Sequence, residues 1–203
     1  MFMNTFVIAI FTCIISTIFV LSVAYSMSRM RFKMRKPFMN IAMIIGLFPS
    51  FMSMIAVYYI LRALNLADGA MIRVALIIVF SAGSGAGFYV AKGFFDTISK
   101  SLDEAAIIDG ATRWNVFTKI TVPLSKPIIV YTILTSFMGP WVDFIFGKVI
   151  CRADAQYYTV SIGLWKMLEK EYIDSWYTCF AAGAVVVSIP IAILFLMTQK
   201  FYV

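Results

Sequence analysis

The sequence predicts an all-α, polytopic membrane protein, and three observations carry that prediction. Of its 203 residues, 62% are hydrophobic and 13% charged, where soluble domains have about 45–50% and roughly 25%. The mean hydropathy is +0.92. The apolar residues also fall into runs of the length, roughly 20 residues, that a helix needs to cross a hydrocarbon core about 30 Å thick. None of these runs alternates with the two-residue period of a membrane barrel strand.

Five runs qualify as spans. The first, Thr5 to Tyr25, carries no charge. The second, Phe38 to Leu61, contains Pro49, and the third extends from Ile72 to Ala91. The fourth, Ile128 to Ile150, contains the dipeptide Gly139-Pro140, where a helix break is expected. The fifth, Tyr177 to Thr198, contains Pro190. Pro49 and Pro190 read as kinks, tolerated where neighbouring groups satisfy the freed carbonyls. The whole chain, 1–203, reads as a single transmembrane domain.

Basic residues set the orientation. Arg29, Arg31, Lys33, Arg35 and Lys36 crowd the connection between the first two spans, and such a loop belongs on the cytoplasmic side. Alternation then places Lys92 to Lys126 and Lys200 inside, with Arg62 to Arg73 and Cys151 to Trp176 outside. Of the 17 basic residues, 11 fall inside and 6 outside. The N-terminus lies outside on this count, and "MFMNTF" has neither a basic n-region nor a cleavage pattern, so it does not read as a signal peptide. A further span upstream, starting in the cytoplasm, is the expectation.

The same composition excludes several functions. The net charge of +7 sits beside apolar runs and not on a water-exposed face, so nucleic acid is not an expected partner. There is no histidine, which removes the usual general base and the commonest metal ligand. Cys13, Cys151 and Cys179 are far apart and form no CxxC pair, so no metal or redox site is expected. No GxxxxGK[ST] occurs, so the chain holds no nucleotide in a P-loop. It is not expected to be an enzyme, and no cofactor is expected.

The cytoplasmic segment 92–127 is the polar exception. Ser101 followed by Glu104 has the spacing of a capping box, and "LDEAAIID" then reads as a short helix ending at Gly110, the residue type suited to the left-handed turn after a helix. A second short helix is expected from Thr112 to about Thr121, stopped by Pro123, with Trp114, Phe117 and Ile120 on one side. Start and stop signals of this kind also serve purely structural loops. Ala105 and Ala106 beside Glu104 favour close approach by another surface.

"EAAIIDG", nine residues and "ITVP" resemble the EAA loop of ATP-binding-cassette importer permeases. Glu104, Ala105, Ala106, Gly110, Ile120 and Pro123 match that pattern in type and spacing, and Val122 stands where leucine is usual. "SLDEAAIIDGAT" with "KITVPLSKP" is most similar to the carbohydrate branch and its maltose-type second permease. The resemblance implies six spans, of which the first is absent here, and a C-terminal tail that this chain lacks, so a fragment is expected. It implies a bacterial inner-membrane protein that moves a sugar by alternating access. The partners it implies are a dimeric ATPase docking on the six loop residues, a second permease as heterodimer partner, and an extracytoplasmic solute-binding protein. Two other readings stay open: a permease of this type for an amino acid or an ion, and a secondary transporter or scaffold. The latter typically shows internal repeats, and none is evident.

Within the spans, "GPWVDF" supplies Trp141, Asp143 and Phe144 as candidate lining of a translocation path, since aromatic and acidic groups suit hydroxyl-rich rings. An acid at membrane depth is by default a functional candidate, whereas Lys148 and Arg152 nearby fit a position at the outer interface. "SAGSGAG" contains a GxxxG from Gly83 to Gly87, read first as close helix packing and second as path lining. The outer segment Cys151 to Trp176 reads either as an interfacial helix or as the contact with a solute-binding protein.

Overall fold

The computed structural model describes residues 1–83, 87–152, 154–169 and 173–201. It is helical, with no strand among the described residues. The helices are α1 (Phe2–Arg29), α2 (Arg35–Gly46), α3 (Ser50–Ala63), α4 (Met71–Gly83), α5 (Phe88–Thr97), α6 (Lys100–Ile108), α7 (Arg113–Val116), α8 (Val122–Leu124), α9 (Lys126–Val142), α10 (Ile145–Cys151), α11 (Val160–Met167) and α12 (Ile173–Thr198).

The centre of the molecule is α1. Its uncharged run gives a continuous 28-residue helix closed by Arg29 in the last turn, where a cation suits the negative end of the helix dipole. Thr5, Ile8, Ala9, Thr12, Ser16, Val20 and Ala24 are buried along one stripe, against α9, α5 and α4. Most of these side chains are small, which lets helix backbones approach closely. The other face exposes Phe11, Ile14, Ile18 and Phe19, apolar groups suited to lipid.

Three apolar clusters sit around this axis. Toward the N-terminal end of α1, Ile8 meets Leu61, Ile72, Leu76, Ile150 and Ile162. Toward its C-terminal end, Val20, Ala24 and Met27 meet Phe88, Phe95 and Ile128. Ala9, Phe137, Trp141 and Val160 form the third, against which α12 lays Val187, Ile191 and Leu194. Asn4 Nδ2 donates to the Gln156 carbonyl at 2.8 Å, and the Val160 N–H donates to Thr5 Oγ1 at 2.9 Å. The N-terminal end of α1 is thereby tied to the segment that leads into α11.

The predicted spans are met unequally. By length and apolarity α1 and α12 each suffice to cross a membrane, and two bent pairs raise the number to four. The expected count of five spans is not confirmed by these helices among the described residues. The second run breaks at Leu47–Pro49 into α2 and α3, because proline offers no N–H and disfavours helical geometry before it. The third bends by 42° between α4 and α5; residues 84–86, the interior of the GxxxG, lie outside the described residues. The expected packing is not seen at Gly83, where an added Cβ would meet nothing within 4 Å, while at Gly87 it would touch Val20. In the fourth, Pro140 stays inside α9 and the break falls at Asp143 and Phe144. The fifth runs unbroken through Pro190.

Candidate functional site

The loop singled out from the sequence is a pair of short helices with a tight turn between them. Ser99, not Ser101, caps α6: its Oγ accepts from the Ser101 N–H at 3.3 Å. The predicted capping box is thus corrected. With the cap two residues earlier, Leu102 occupies the position a reciprocal acid needs, and Glu104 stands exposed outside the cap.

Gly110 behaves as expected. Its φ is +87°, and the Gly110 N–H reaches the Ile107 carbonyl at 3.0 Å while the Ala111 N–H reaches that of Ala106 at 2.9 Å. This pair of bonds is a Schellman motif, which satisfies carbonyls a helix end would otherwise leave open. Thr112 then caps α7, its Oγ1 accepting from the Asn115 N–H at 3.2 Å. Pro123 does not stop the second helix. A π turn over Phe117–Thr121 leads into α8, which contains Pro123, and the chain bends by 80° into α9 after Leu124. The widened turn relieves the crowding that a proline ring imposes on the carbonyl four residues back.

The six loop residues do not converge on a point; they lie along this surface. Glu104, Ala105, Gly110 and Pro123 are exposed, and Ala106 and Ile120 are half-buried. No side chain of α6 is buried, and Ile108 is 85% and Trp114 69% exposed. Exposed apolar groups rimmed by Glu104, Asp109 and Arg113 have the character of a docking surface.

The C-terminal end of α1 holds this helix pair. Arg29 Nε lies 3.0 Å from Asp103 Oδ2, and Arg29 Nη2 donates to the Ile98 carbonyl at 2.9 Å. Ser28 Oγ donates to Asp96 Oδ1 at 2.6 Å, and Lys92 bonds the other oxygen of that carboxylate. Tyr25 packs on Phe117 with ring centroids 4.7 Å apart. Sequence reasoning missed the contacts of Tyr25, Ser28 and Arg29, because partners so far apart in the chain leave no local spacing to read.

A cavity of about 760 Å³ opens between α1, α3, α4 and α9, within the range of small-ligand sites. One face of α9, with the residue that follows it, supplies Tyr131, Thr132, Thr135, Ser136, Gly139 and Asp143. These recur at intervals of about four residues, a helical period present in the sequence but not read there. Thr132 and Thr135 donate to the Ile128 and Tyr131 carbonyls of their own helix. Thr12 of α1 faces the same space with Oγ1 unbonded.

Of the three predicted lining residues, only Asp143 borders this cavity. Its Oδ2 accepts from the Gly147 N–H at 2.9 Å, which holds the start of α10, and Ser161 Oγ bonds its carbonyl. Trp141 is 3% exposed and lies between Phe2 and Phe137. Phe144 turns to Trp165 at 4.9 Å and to Lys148. Both rings pack against other rings, and the buried Trp141 Nε1 has no hydrogen-bond partner. No group of metal-ligating side chains occurs among the described residues.

The family profile described as "Binding-protein-dependent transport system inner membrane component" matches residues 17–202. The chain is 34% identical over 203 residues to the galactooligosaccharides transport system permease protein GanQ of Bacillus subtilis, covering 100% of this chain and 70% of that one. It is 31% identical over 202 residues to the maltodextrin transport system permease protein MalD of Streptococcus pneumoniae, covering 100% and 71%. Among solved structures it is similar to a bacterial ABC transporter involved in the import of the acidic polysaccharide alginate. There the TM-score is 0.79 at 26% identity, over 100% of this chain and 74% of that chain.

Proposed function

Since the chain belongs to the family of binding-protein-dependent transport system inner membrane components, we infer that it is the permease subunit of an ATP-binding-cassette importer for an oligosaccharide. The observation that carries the solute class is the agreement between relatives matching the full chain, which are named for galactooligosaccharides and maltodextrins. The protein works in a bacterial inner membrane as one transmembrane domain. Five crossings, some made of bent helices, leave 92–127 on the cytoplasmic side. Energy comes from ATP hydrolysis in a partner chain, and a second permease and a solute-binding protein complete the system.

On this reading α6 and α7 are the docking element for the ATPase. Glu104 offers a charge to a partner cation, and Ala105 and Ala106 keep the surface low enough for close approach. Gly110 sets the angle between the helices, and Ile120 and Pro123 shape the return to α9. The cavity beside α9 is the path, its hydroxyls and Asp143 being suited to sugar hydroxyls.

Ala106→Asp tests the docking element. In vesicles holding the ATPase, second permease and binding protein that co-purify with it, uptake and binding-protein-stimulated ATP hydrolysis should fall together. A new carboxylate there would have to be desolvated on docking. Membrane accumulation should stay normal, because α6 buries no side chain. Undiminished uptake and hydrolysis in Ala106→Asp would refute this role for the loop.

A further inference from the structure

We propose that Arg29 and Asp103 are positioning residues through which α6 grips α1, so that movement of the docking helix reaches a membrane-spanning helix that is not its neighbour in the chain. The proposal rests on the reading of α6 as the ATPase-docking element.

The mechanical argument starts from the joints of α6. At one end Ile98 and Ser99 are extended, with ψ of 127° and 131°. At the other end Gly110 turns at φ +87°. A helix between two non-helical joints can swing without moving the elements beyond them. It transmits displacement only if a third point is held, and α6 has no buried side chain to provide one.

Asp103 provides it. The Arg29–Asp103 contact is the one side-chain bond from α6 to a membrane-spanning helix among the described residues. The side chains are 6% and 13% exposed, so solvent ions screen the pair far less than a surface pair. The same guanidinium bonds the Ile98 carbonyl, which lies at the joint itself. One guanidinium therefore holds the helix by charge, through Asp103, and its hinge by a hydrogen bond to the Ile98 carbonyl. Ser28 and Tyr25 extend the grip to the end of α5 and to the π turn. The last two turns of α1 thus touch the end of α5, α6 and the π turn.

The test uses the complex reconstituted in vesicles with the partners that co-purify with it. It compares Asp103→Asn, Arg29→Gln and the exchange Arg29→Asp with Asp103→Arg. Both single variants should assemble and hydrolyse ATP at the wild-type rate without binding protein. Stimulation by the sugar-loaded binding protein should fall about tenfold, the size of an ordinary coupling between sites, and the exchange should restore part of it. Full stimulation in Asp103→Asn would overturn the proposal. So would a drop in assembled complex with stimulation per complex unchanged, since the pair would then be a folding anchor. Wild-type vesicles with no stimulated hydrolysis would instead overturn the transport reading itself.

Discussion

Substituting Gly110 isolates the energetics of one turn. An ideal Cβ at this position meets nothing within 4 Å, so no steric clash with the rest of the molecule enters the cost. What remains is the backbone. An L-residue in the left-handed region costs roughly 1–2 kcal/mol, asparagine less than most, and a β-branched residue more. The penalty acts on the φ of +87° that the two Schellman bonds require. If the ATPase binds only this shape, apparent affinity falls by the fraction of molecules that retain it. A loss of 1–2 kcal/mol corresponds to a factor of about 5–30. Titration of the solubilised permease complex with labelled ATPase should therefore rank affinity Gly, Asn, Ala, Val, with membrane accumulation unchanged throughout. Gly110→Val binding as tightly as wild type, or Asn and Ala binding alike, would refute the reasoning, because each outcome means that the turn is not what the ATPase recognises.

Two further outcomes follow from the topology and the cavity. Single cysteines replacing the exposed Lys33 and Lys100, in a background without native cysteines, should resist a membrane-impermeant thiol reagent in intact cells. One at the exposed Gln156 should react, and outside labelling at Lys33 would reverse the orientation. Gly139 borders the cavity, and an added Cβ there meets nothing within 4 Å, so Gly139→Leu should fill the space without disturbing α9. Initial uptake of labelled oligosaccharide should drop sharply at normal expression, and wild-type uptake would remove this cavity from the path.

What could be read from the sequence was local, and what could not was a matter of competing local signals or distant partners. The uncharged runs that became α1 and α12 left no alternative to helix, and Gly110 stood where only a left-handed turn made sense. Ser99 and Ser101 both look like caps, and the choice between them depends on where the chain leaving α5 becomes extended. Gly139-Pro140 looked like the break of the fourth run. The break moved to Asp143 because its carboxylate can hold the first turn of α10, while Pro140 lacks only one backbone donor. The hydroxyl-bearing face of α9 was present as a period, obscured by the apolar residues between its members. The Arg29–Asp103 contact had no signature in either segment.

A rod fastened at both ends has few ways left to move, and α1 is such a rod. Sliding along its axis would part Asn4 and Thr5 from the main chain of the segment before α11, and tilting would drag α6 and α7 sideways. Rolling about its own axis would stretch these ties too, but it would leave the depth and tilt of the helix unchanged. The Arg29 side chain then acts as a crank arm, converting a sideways push on Asp103 into torque. A helix with its side chains has a radius of about 5–6 Å, so a roll of a few tens of degrees moves its surface by roughly the width of a methyl group. Thr12 and Val20 form α1's share of the cavity wall, and the same roll would swing them together. The aperture facing Thr132 and Ser136 would then change by rotation of one wall, with no helix leaving its place in the bilayer.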